Sequence, residues 1–326
     1  MSILITGGAG YIGSHVALHL IDNGFKPVII DNLITGNKKL IPQEAKYIIG
    51  DIKDHTLVKN IIIDYKIDTV IHLAASTLVK ESISDPYKYY NNNTLNSIKL
   101  IDLCGRLKIK NFIFSSTAAC YGSKHKGKVS ENFALYPESP YGNSKLAAEL
   151  ALLDLSKIYK FHYGIFRYFN VAGSDPECRS GSVQKPASHL IAKACETALN
   201  INNSIDIYGE DYDTKDGTCI RDFIHVSDIA SAHLDGINFI KKNNTNFISN
   251  LGYGKGYSVK EVLDSVKKIS KNDFIINIAS RREGDIDSIV ADNNFALNNL
   301  RWSPKYNNID LIVKHQLEWC YKEIKK

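Results

Sequence analysis

Short apolar runs alternate with segments of helical periodicity over the first half of the chain. The runs are continuous and rich in β-branched and aromatic residues, which is typical of parallel strands that are covered on both faces. They are SILIT (2–6), KPVIID (26–31), DTVIHLA (68–74), KNFIFSS (110–116) and HYGIFRYFN (162–170). The helical segments between them include residues 11–24, 56–65 and 94–108. This alternation predicts an α/β fold with a doubly wound parallel sheet.

The pattern changes beyond residue 172, where the loops lengthen and carry much of the charge. Shorter strands and helices lie between these loops, and the clearest helices are predicted over residues 260–269 and 308–326. We therefore predict a first domain over residues 1–172 and a smaller α/β lobe over residues 173–326. We also expect some segments of the second part to return to the first domain.

Composition and charge exclude several classes of protein. Of the 326 residues, 44% are hydrophobic and 23% are charged, and the net charge is +5, so we expect a globular protein without a nucleic-acid partner. The six cysteines show no CxxC spacing and no HExxH motif is present, so we expect neither a disulfide framework nor a metal site. Neither a signal peptide nor a membrane span is evident. A cytoplasmic location is expected.

A glycine-rich stretch, TGGAGYIG (6–13), follows the first predicted strand and opens the first predicted helix. Glycines at these positions permit a tight turn and let the backbone approach a pyrophosphate, which the helix N-terminus also favours. Asp31 ends the second strand, where an acid can accept both ribose hydroxyls and would repel a 2′-phosphate. The sequence therefore predicts a Rossmann domain that binds NAD rather than NADP. Asp51 follows a further strand end and is expected to face the adenine.

The stretch YGNSK (141–145) places Tyr141 and Lys145 four residues apart, on one face of a predicted helix. A free phenol has a pKa of about 10. A neighbouring ammonium group favours the phenolate, so Tyr141 is predicted to act as a base near neutral pH. The helix is expected to begin at Pro140, with Ser139 as its cap. Thr117, at the end of a buried strand, is the third predicted catalytic residue, and its hydroxyl would hydrogen-bond the reacting oxygen.

These motifs resemble those of the extended short-chain dehydrogenase/reductase family, and the likeness spans the whole chain. Within that family the sequence is similar to the nucleotide-sugar 4-epimerases. The motifs that carry the resemblance are GGAGYIGSH (7–15), DNL (31–33), GDI (50–52), IHLAA (71–75), YYNNN (89–93), FSSTAACYG (114–122), SPYGNSK (139–145), RYFNVAGSDP (167–176), DGTCIRDFIHVSD (216–228) and RREGD (281–285).

Ala118 and Ala119 distinguish the chain from other members of this family. Sugar-nucleotide dehydratases typically have an Asp and a Glu at these two positions, and the pair expels water from the sugar. A methyl group transfers no proton, so only oxidation and re-reduction remain. The resemblance therefore implies reversible 4-epimerisation of UDP-glucose and UDP-galactose. It also implies a hydride that passes transiently to tightly bound NAD, a 4-keto sugar as the intermediate, and a homodimeric enzyme.

The resemblance also implies residue roles. The implied cofactor contacts are Gly7, Gly10, Tyr11, Ile12, Gly13, Asp31, Asn32, Asp51, Ile52, Leu73, Ala74, Ala75, Asn93, Tyr141, Lys145 and Tyr168. The implied substrate contacts are Thr117, Asn170, His189, Leu190, Tyr208, Arg221, Arg282, Asp285 and Ile289. Among them Arg221 and Arg282 would clamp the diphosphate, because a guanidinium matches phosphate oxygens bidentately.

Three positions depart from the family pattern. Thr77 stands where members often have a lysine that contacts the cofactor phosphates, and His189 stands where many have asparagine. Ile289 replaces a tyrosine or a small residue, and its size predicts a preference for glucose and galactose over their N-acetylated forms. Two alternatives stay open: epimerisation of N-acetylated or uronic UDP-sugars, and a regulator that binds NAD without turnover.

Overall fold

Strands and helices alternate along the computed structural model, which describes residues 2–184, 187–282 and 285–325. The strands are β1 (Ile3–Thr6), β2 (Val28–Asp31), β3 (Lys46–Ile49), β4 (Thr69–His72), β5 (Asn111–Thr117), β6 (Gly127–Val129), β7 (His162–Tyr168), β8 (Asn170–Ala172), β9 (Ser204–Tyr208), β10 (Ile220–His225), β11 (Phe247–Leu251), β12 (Gly256–Ser258), β13 (Ile275–Ala279) and β14 (Ser288–Ala291). The helices are α1 (Tyr11–Asp22), α2 (His55–Asp64), α3 (Val79–Ser84), α4 (Pro86–Tyr89), α5 (Asn96–Arg106), α6 (Pro140–Tyr159), α7 (Leu190–Ala198), α8 (Val226–Asn243), α9 (Val259–Ser270), α10 (Asn294–Asn298) and α11 (Ile309–Ile324).

The main sheet contains seven strands in the order β11-β7-β5-β4-β1-β2-β3. Every pairing in it is parallel. Chain order reverses at β1, so the carboxyl ends of β1 and β4 lie side by side at the switch point where ligands bind in such sheets. The predicted α/β fold with a doubly wound parallel sheet is confirmed.

Alternate residues of each central strand face two separate hydrophobic cores. Ile3 and Ile5 of β1 point into one core with α1 and α8, whereas Leu4 between them points into the other. The second core is closed by α2, α5 and α6. Because both faces of the sheet are covered, the strands consist of continuous runs of apolar residues in the sequence.

A second, smaller sheet supports the predicted substrate side. It contains β12, β10, β14 and β6, with β8 paired to β10, and a separate parallel pair is formed by β9 and β13. The last strand of the main sheet, β11, comes from the second half of the chain, and α8 packs against α1. The predicted division at residue 172 stays a prediction, because the later chain contributes to both parts.

The structure also shows where the predicted elements end. The predicted strand 162–170 is two strands in different sheets, β7 and β8, because the chain leaves the main sheet at Phe169. The predicted helix 94–108 is shorter as an α-helix, since a π-helical turn over Tyr90–Leu95 precedes α5. Within the described residues, no helix combines the length and the apolar character needed to cross a bilayer.

Candidate active site

The glycine-rich loop joins β1 to α1 and packs against the end of β4. Gly7 has a φ of +73°, and a Cβ there would lie 2.7 Å from the amide nitrogen of Ala74. A Cβ at Gly13 would lie 2.2 Å from the carbonyl oxygen of Gly7. These two positions therefore require glycine. Gly10 is the N-cap residue of α1 and has no side chain to cap the helix, so the first amides of the helix suit a pyrophosphate.

Asp31 ends β2 and reaches back to the glycine-rich loop. Its Oδ2 accepts a hydrogen bond from the Ala9 amide at 2.9 Å, and its Oδ1 accepts one from the Leu33 amide at 2.8 Å. Burial raises the pKa of this carboxyl group. Nearby, the Asn32 side chain donates to Asp51 Oδ2 at 2.9 Å. Three predicted cofactor contacts, Asp31, Asn32 and Asp51, thus lie at the carboxyl ends of β2 and β3.

The predicted contacts after β4 are tied to β1 at their start. The amide of Leu73 donates to the Thr6 carbonyl at 3.1 Å, and the amide of Ala74 donates to Thr6 Oγ1 at 3.3 Å. These bonds fix the backbone of Leu73, Ala74 and Ala75 beside the glycine-rich loop. The Ile52 side chain is buried in the core. The contacts of these four residues with a cofactor stay predictions.

Asn93 is fully buried and binds protein groups on both sides of its amide. Its Oδ1 accepts a hydrogen bond from the Ser76 amide at 2.8 Å. Its Nδ2 donates to the Ser76 carbonyl at 2.9 Å and to Ser144 Oγ at 3.1 Å. Asn93 therefore joins the loop after β4 to α6, and a direct contact with the cofactor stays a prediction.

The helix α6 begins as the sequence predicts and carries two of the predicted catalytic residues. Pro140 is its first residue, and the Ser139 side chain accepts a hydrogen bond from the Gly142 amide at 3.1 Å. This cap satisfies an otherwise unpaired amide and fixes the start of the helix. Tyr141 lies in the first turn and Lys145 in the second, so both are held on a helix of 20 residues.

Thr117 and Tyr141 meet at the carboxyl end of β5. Thr117 Oγ1 accepts a hydrogen bond from the Ala119 amide at 3.1 Å, which fixes the hydroxyl at the end of the strand. The side chains of Thr117 and Tyr141 lie close enough to interact. Burial raises the pKa of the Tyr141 phenol to about 12, and the Thr117 hydroxyl opposes that rise. Tyr141 therefore needs a positive charge nearby to act as a base at neutral pH.

Lys145 is a buried cation close to this pair. Its Nζ lies 4.6 Å from the centre of the Phe114 ring. Burial lowers the pKa of Lys145 to about 8, while Cys120 and Glu149 act in the opposite direction. A lysine with this pKa keeps a substantial positive charge at neutral pH. The structure therefore places all three predicted catalytic residues at one end of β5, and the effect of Lys145 on Tyr141 stays a prediction.

The hydroxyl groups of Tyr11 and Tyr168 bind protein atoms. Tyr11 donates to the Gly173 carbonyl at 2.5 Å, which joins α1 to the chain after β8. Nδ1 of His233 bonds to the Ile229 carbonyl at 2.9 Å and so carries its proton, leaving Nε2 as an acceptor. Tyr168 donates to that nitrogen at 2.8 Å. Both hydroxyl protons are thus used within the protein, and the contacts of these two tyrosines with a cofactor stay predictions.

Four predicted substrate residues form two pairs on the second side of the site. The guanidinium of Arg282 lies 3.7 Å from the centre of the Tyr208 ring. Arg221, on β10, forms an ion pair of 3.2 Å with Asp285 and donates to the Ile286 carbonyl at 2.8 Å. The fold thus brings together residues that are far apart in the sequence. Both arginines carry guanidinium groups that could bind an anionic ligand.

The remaining predicted substrate residues lie on three elements. Asn170 is exposed on β8, and His189 is the N-cap residue of α7, which begins at Leu190. The His189 side chain is exposed to solvent. Ile289, on β14, is buried in a small apolar cluster against which Ala118 packs. Ile289 therefore neighbours the stretch that follows Thr117.

Three residues next to this site were missed by the sequence analysis. Glu149 is buried on α6, where it pairs with Arg167 of β7 and accepts a hydrogen bond from Ser116. The sequence does contain a pattern that points to Glu149, because this residue continues the four-residue spacing of Tyr141 and Lys145. Its partner could not be found in this way, since Arg167 comes from another strand.

No metal site is evident in residues 2–184, 187–282 and 285–325. His15 and His19 do stand four residues apart on α1, which is a spacing that can bind a metal. In the structure Nδ1 of His15 bonds to the Tyr11 carbonyl at 2.7 Å, and the ring of His15 is buried. His19 contacts Asn23 at the helix end.

Comparison with known proteins identifies the family. The model of the NAD dependent epimerase/dehydratase family matches residues 3–252. The chain belongs to this family. It is 42% identical to a UDP-glucose 4-epimerase of Azospirillum brasilense over 97% of this chain and 91% of that protein.

Two solved structures extend this result to the fold. The structure of UDP-glucose 4-epimerase from Brucella ovis in complex with NAD has a TM-score of 0.94 and 37% identity, covering 97% of each chain. That of the UDP-Glc/GlcNAc 4-epimerase from Campylobacter jejuni has a TM-score of 0.86 and 42% identity, covering 98% of this chain and 99% of the other. Membership of the NAD dependent epimerase/dehydratase family confirms the predicted resemblance, the predicted enzyme class and the predicted cofactor, NAD.

Proposed function

We propose that this chain interconverts UDP-glucose and UDP-galactose by inverting carbon 4 of the hexose. The observation that carries the proposal is the end of β5, where Thr117 meets Tyr141 directly before two alanines. The named relatives and neighbours that are UDP-glucose 4-epimerases support the same reaction. The acid pair that elimination requires is replaced by the methyl groups of Ala118 and Ala119.

The residues around the glycine-rich loop fit NAD. The N-terminus of α1 would hold the pyrophosphate, and Asp31 would accept the ribose hydroxyls of the adenosine half. When bound, NAD supplies a hydride acceptor that later returns the hydride to the sugar. Mass spectrometry of the cofactor released from the purified protein tests this assignment, because the Asp31 carboxylate should exclude NADP.

Tyr141 and Thr117 would act on the oxygen at carbon 4. Tyr141 Oη takes the proton of the hydroxyl during oxidation and gives it back during reduction, while Thr117 Oγ1 hydrogen-bonds the same oxygen. Burial raises the pKa of the Tyr141 phenol to about 12, which opposes formation of the phenolate. The buried ammonium of Lys145 lowers the cost of forming the phenolate, and this is its role in the proposal.

Arg221 and Arg282 would hold the diphosphate on the opposite side. Tyr208 would stack on the uracil and Asp285 would bind the uridine ribose, with His189, Leu190 and Asn170 contributing further contacts. Binding requires the substrate to share or replace the contacts within the Arg282–Tyr208 and Arg221–Asp285 pairs. An anchor on the diphosphate leaves the hexose free to present either face to Tyr141.

Separation of the products formed from single UDP-sugars tests the reaction. The purified protein should convert UDP-galactose to UDP-glucose and back, and it should yield no 4-keto-6-deoxy sugar. A regulator that binds NAD without turnover would form no product. The Tyr141→Phe variant is the control for contaminating epimerase.

A second candidate is an enzyme that also accepts N-acetylated sugars. The 42% identity to the UDP-Glc/GlcNAc 4-epimerase of Campylobacter jejuni favours it. The buried Ile289, which packs with Tyr121 and Phe169, argues for a smaller pocket. Assays with UDP-N-acetylglucosamine decide between the two candidates.

We propose that the chain forms a homodimer through α3, α4 and α6. Ile83, Tyr87 and Leu150 are 65%, 76% and 55% exposed on these adjoining helices, which is unusual for large apolar side chains. Analytical ultracentrifugation should show a dimer that Tyr87→Glu converts to a monomer. The apolar and exposed Ile278 of β13 provides the control, because Ile278→Glu should leave the dimer intact.

We also propose that the protein is located in the cytoplasm, because the cysteine pattern favours a reducing compartment.

A further inference from the structure

Glu149 is a buried acid that none of the roles above uses. It lies on the face of α6 that also carries Tyr141 and Lys145, one helical turn beyond the lysine. Its side chain is 3% exposed, as is that of Arg167. Few carboxylates are buried so completely unless they are paired.

The Glu149 carboxylate is bound by groups from three elements. Arg167 Nη2 donates to Oε2 at 2.8 Å and Arg167 Nε donates to Oε1 at 3.2 Å, so the guanidinium of β7 binds both oxygens. Ser116 Oγ, next to Thr117 on β5, also donates to Oε1. The thiol of Cys120 lies 4.0 Å from the same oxygen. The third turn of α6 is thereby fixed to the ends of β5 and β7.

Stability alone does not account for this arrangement. Burying two charges costs several kcal/mol of desolvation, and apolar residues of similar size often serve a core equally well. A fixed ionic contact gives directionality instead, because its hydrogen bonds allow only one position of the helix along the strands. That position sets where Tyr141 stands relative to Thr117.

The charge of Glu149 also acts on Lys145. Burial lowers the pKa of Lys145, and Glu149 is one of two groups that oppose this shift. The other groups around Lys145 are Cys120 after β5, Phe114 on β5, His72 on β4 and Tyr141 on its own helix. Burial lowers the pKa of His72 to about 3, so His72 is neutral and contributes no charge.

We propose that Glu149, fixed by Ser116 and Arg167, is a positioning residue that holds α6 in register with β5 and keeps Lys145 protonated beside Tyr141. This inference rests on the proposed function, in which Tyr141 is the base. Glu149 itself touches neither the substrate nor the cofactor in this scheme, and it acts through Lys145.

Three variants of the holoenzyme test the proposal. Glu149→Gln keeps the shape and removes the charge, and Glu149→Gln with Arg167→Met removes both charges. Asp154→Asn is the matched control, because Asp154 lies on the same helix and is 76% exposed. Each protein is examined for kcat with UDP-galactose, for its content of bound NAD and for the ionisation of Lys145. The last is read by NMR of lysine-labelled protein during a pH titration, with the Lys145 signal assigned by its loss in the Lys145→Met protein.

Glu149→Gln should lower kcat by about 10-fold or more and move the Lys145 titration to lower pH by about one unit. Its bound NAD should be unchanged. The double variant should regain part of both losses, because Arg167 is no longer buried without its counter-ion. A purely structural role predicts lower kcat with the Lys145 titration unmoved, and that outcome would overturn the proposal.

Failure of the proposed function would look different. If the unmodified protein epimerises no UDP-hexose, the proposed function is wrong, whereas the Lys145 titration still reports whether Glu149 supports the charge of Lys145. Unchanged kcat and unchanged titration in Glu149→Gln would refute the positioning role even in an active epimerase.

Discussion

The predicted cofactor residues and the predicted substrate residues are held in place by different kinds of contact. On the cofactor side the contacts involve the backbone. Gly7 and Gly13 pack against other backbone atoms, and Asp31 accepts hydrogen bonds from two backbone amides. On the substrate side, side chains hold one another, as in the Arg282–Tyr208 and Arg221–Asp285 pairs. A site formed by backbone atoms has its shape before the ligand binds. Paired side chains, in contrast, can exchange their contacts with each other for contacts with the ligand.

The difference fits the expectation that the cofactor stays bound during turnover, whereas the substrate must enter and leave. A rigid cradle gives tight binding because little order is lost on association. Side-chain pairs instead keep the guanidinium groups of Arg221 and Arg282 oriented until the diphosphate replaces their partners. Changes on the two sides should therefore affect different measurements, and changes at Tyr141 should affect neither type of binding.

Replacement of the base should have the largest effect. Tyr141→Phe keeps the ring against Tyr89 and removes the proton acceptor, so kcat should fall by about 10²–10⁴-fold. Bound NAD and the KM for UDP-galactose should change little. Steady-state kinetics and cofactor extraction measure these quantities. Turnover close to that of the unmodified protein would show that another group accepts the proton.

Loss of a diphosphate contact should have the next largest effect. Arg282→Met removes a charge-assisted contact worth about 1.5–3 kcal/mol, so kcat/KM should fall by about 10- to 150-fold, mainly through KM. The NAD content should not change. Arg301→Met, at an exposed arginine outside both predicted sites, is the control. Loss of NAD in Arg282→Met would contradict the separation between the two sides.

A change at Ile289 tests sugar selection on the substrate side. If Ile289 limits the pocket, Ile289→Ala should raise kcat/KM for UDP-N-acetylglucosamine relative to UDP-glucose, by a ratio equivalent to about 1–3 kcal/mol. The comparison uses both sugars with each protein, so a general loss of stability cancels. An unchanged ratio would mean that Ile289 only packs with Tyr121 and Phe169.

Acid should destabilise the fold through buried neutral histidines on the cofactor side. Burial lowers the pKa of His72 to about 3 and that of His15 to about 4, whereas an unfolded histidine has a pKa of about 6.5. Below about pH 6.5 the unfolded chain binds more protons than the folded chain does. The free energy of unfolding therefore decreases as the pH is lowered, until the histidines of the folded protein also become protonated. Each histidine should contribute about 1.4 kcal/mol per pH unit within this window.

Urea denaturation at several pH values measures this loss. His72→Asn should reduce the slope of stability against pH, although it also disturbs the bonds of His72 to Thr6 and Ser97. His55→Asn, at the exposed first residue of α2, is the matched control and should leave the slope unchanged. Equal slopes in all three proteins would contradict the assignment.

The sequence by itself determined the elements whose chemistry is local. The glycines of residues 6–13 had to form a tight turn before a helix, and the Ser139-Pro140 pair had to begin one, because these conformations depend on neighbours in the chain. The apolar runs determined a sheet buried on both faces. Tyr141 and Lys145 shared a helix face for the same local reason.

Only the tertiary structure decided what depends on residues far apart in the chain. It broke the predicted strand at Phe169, returned β11 to the main sheet, and paired Arg221 with Asp285 and Glu149 with Arg167. It also showed that the side chain of Asn93 is occupied by Ser76 and Ser144. Such contacts form when packing of the whole chain brings distant elements together, and a local pattern contains no information about which partner will be there.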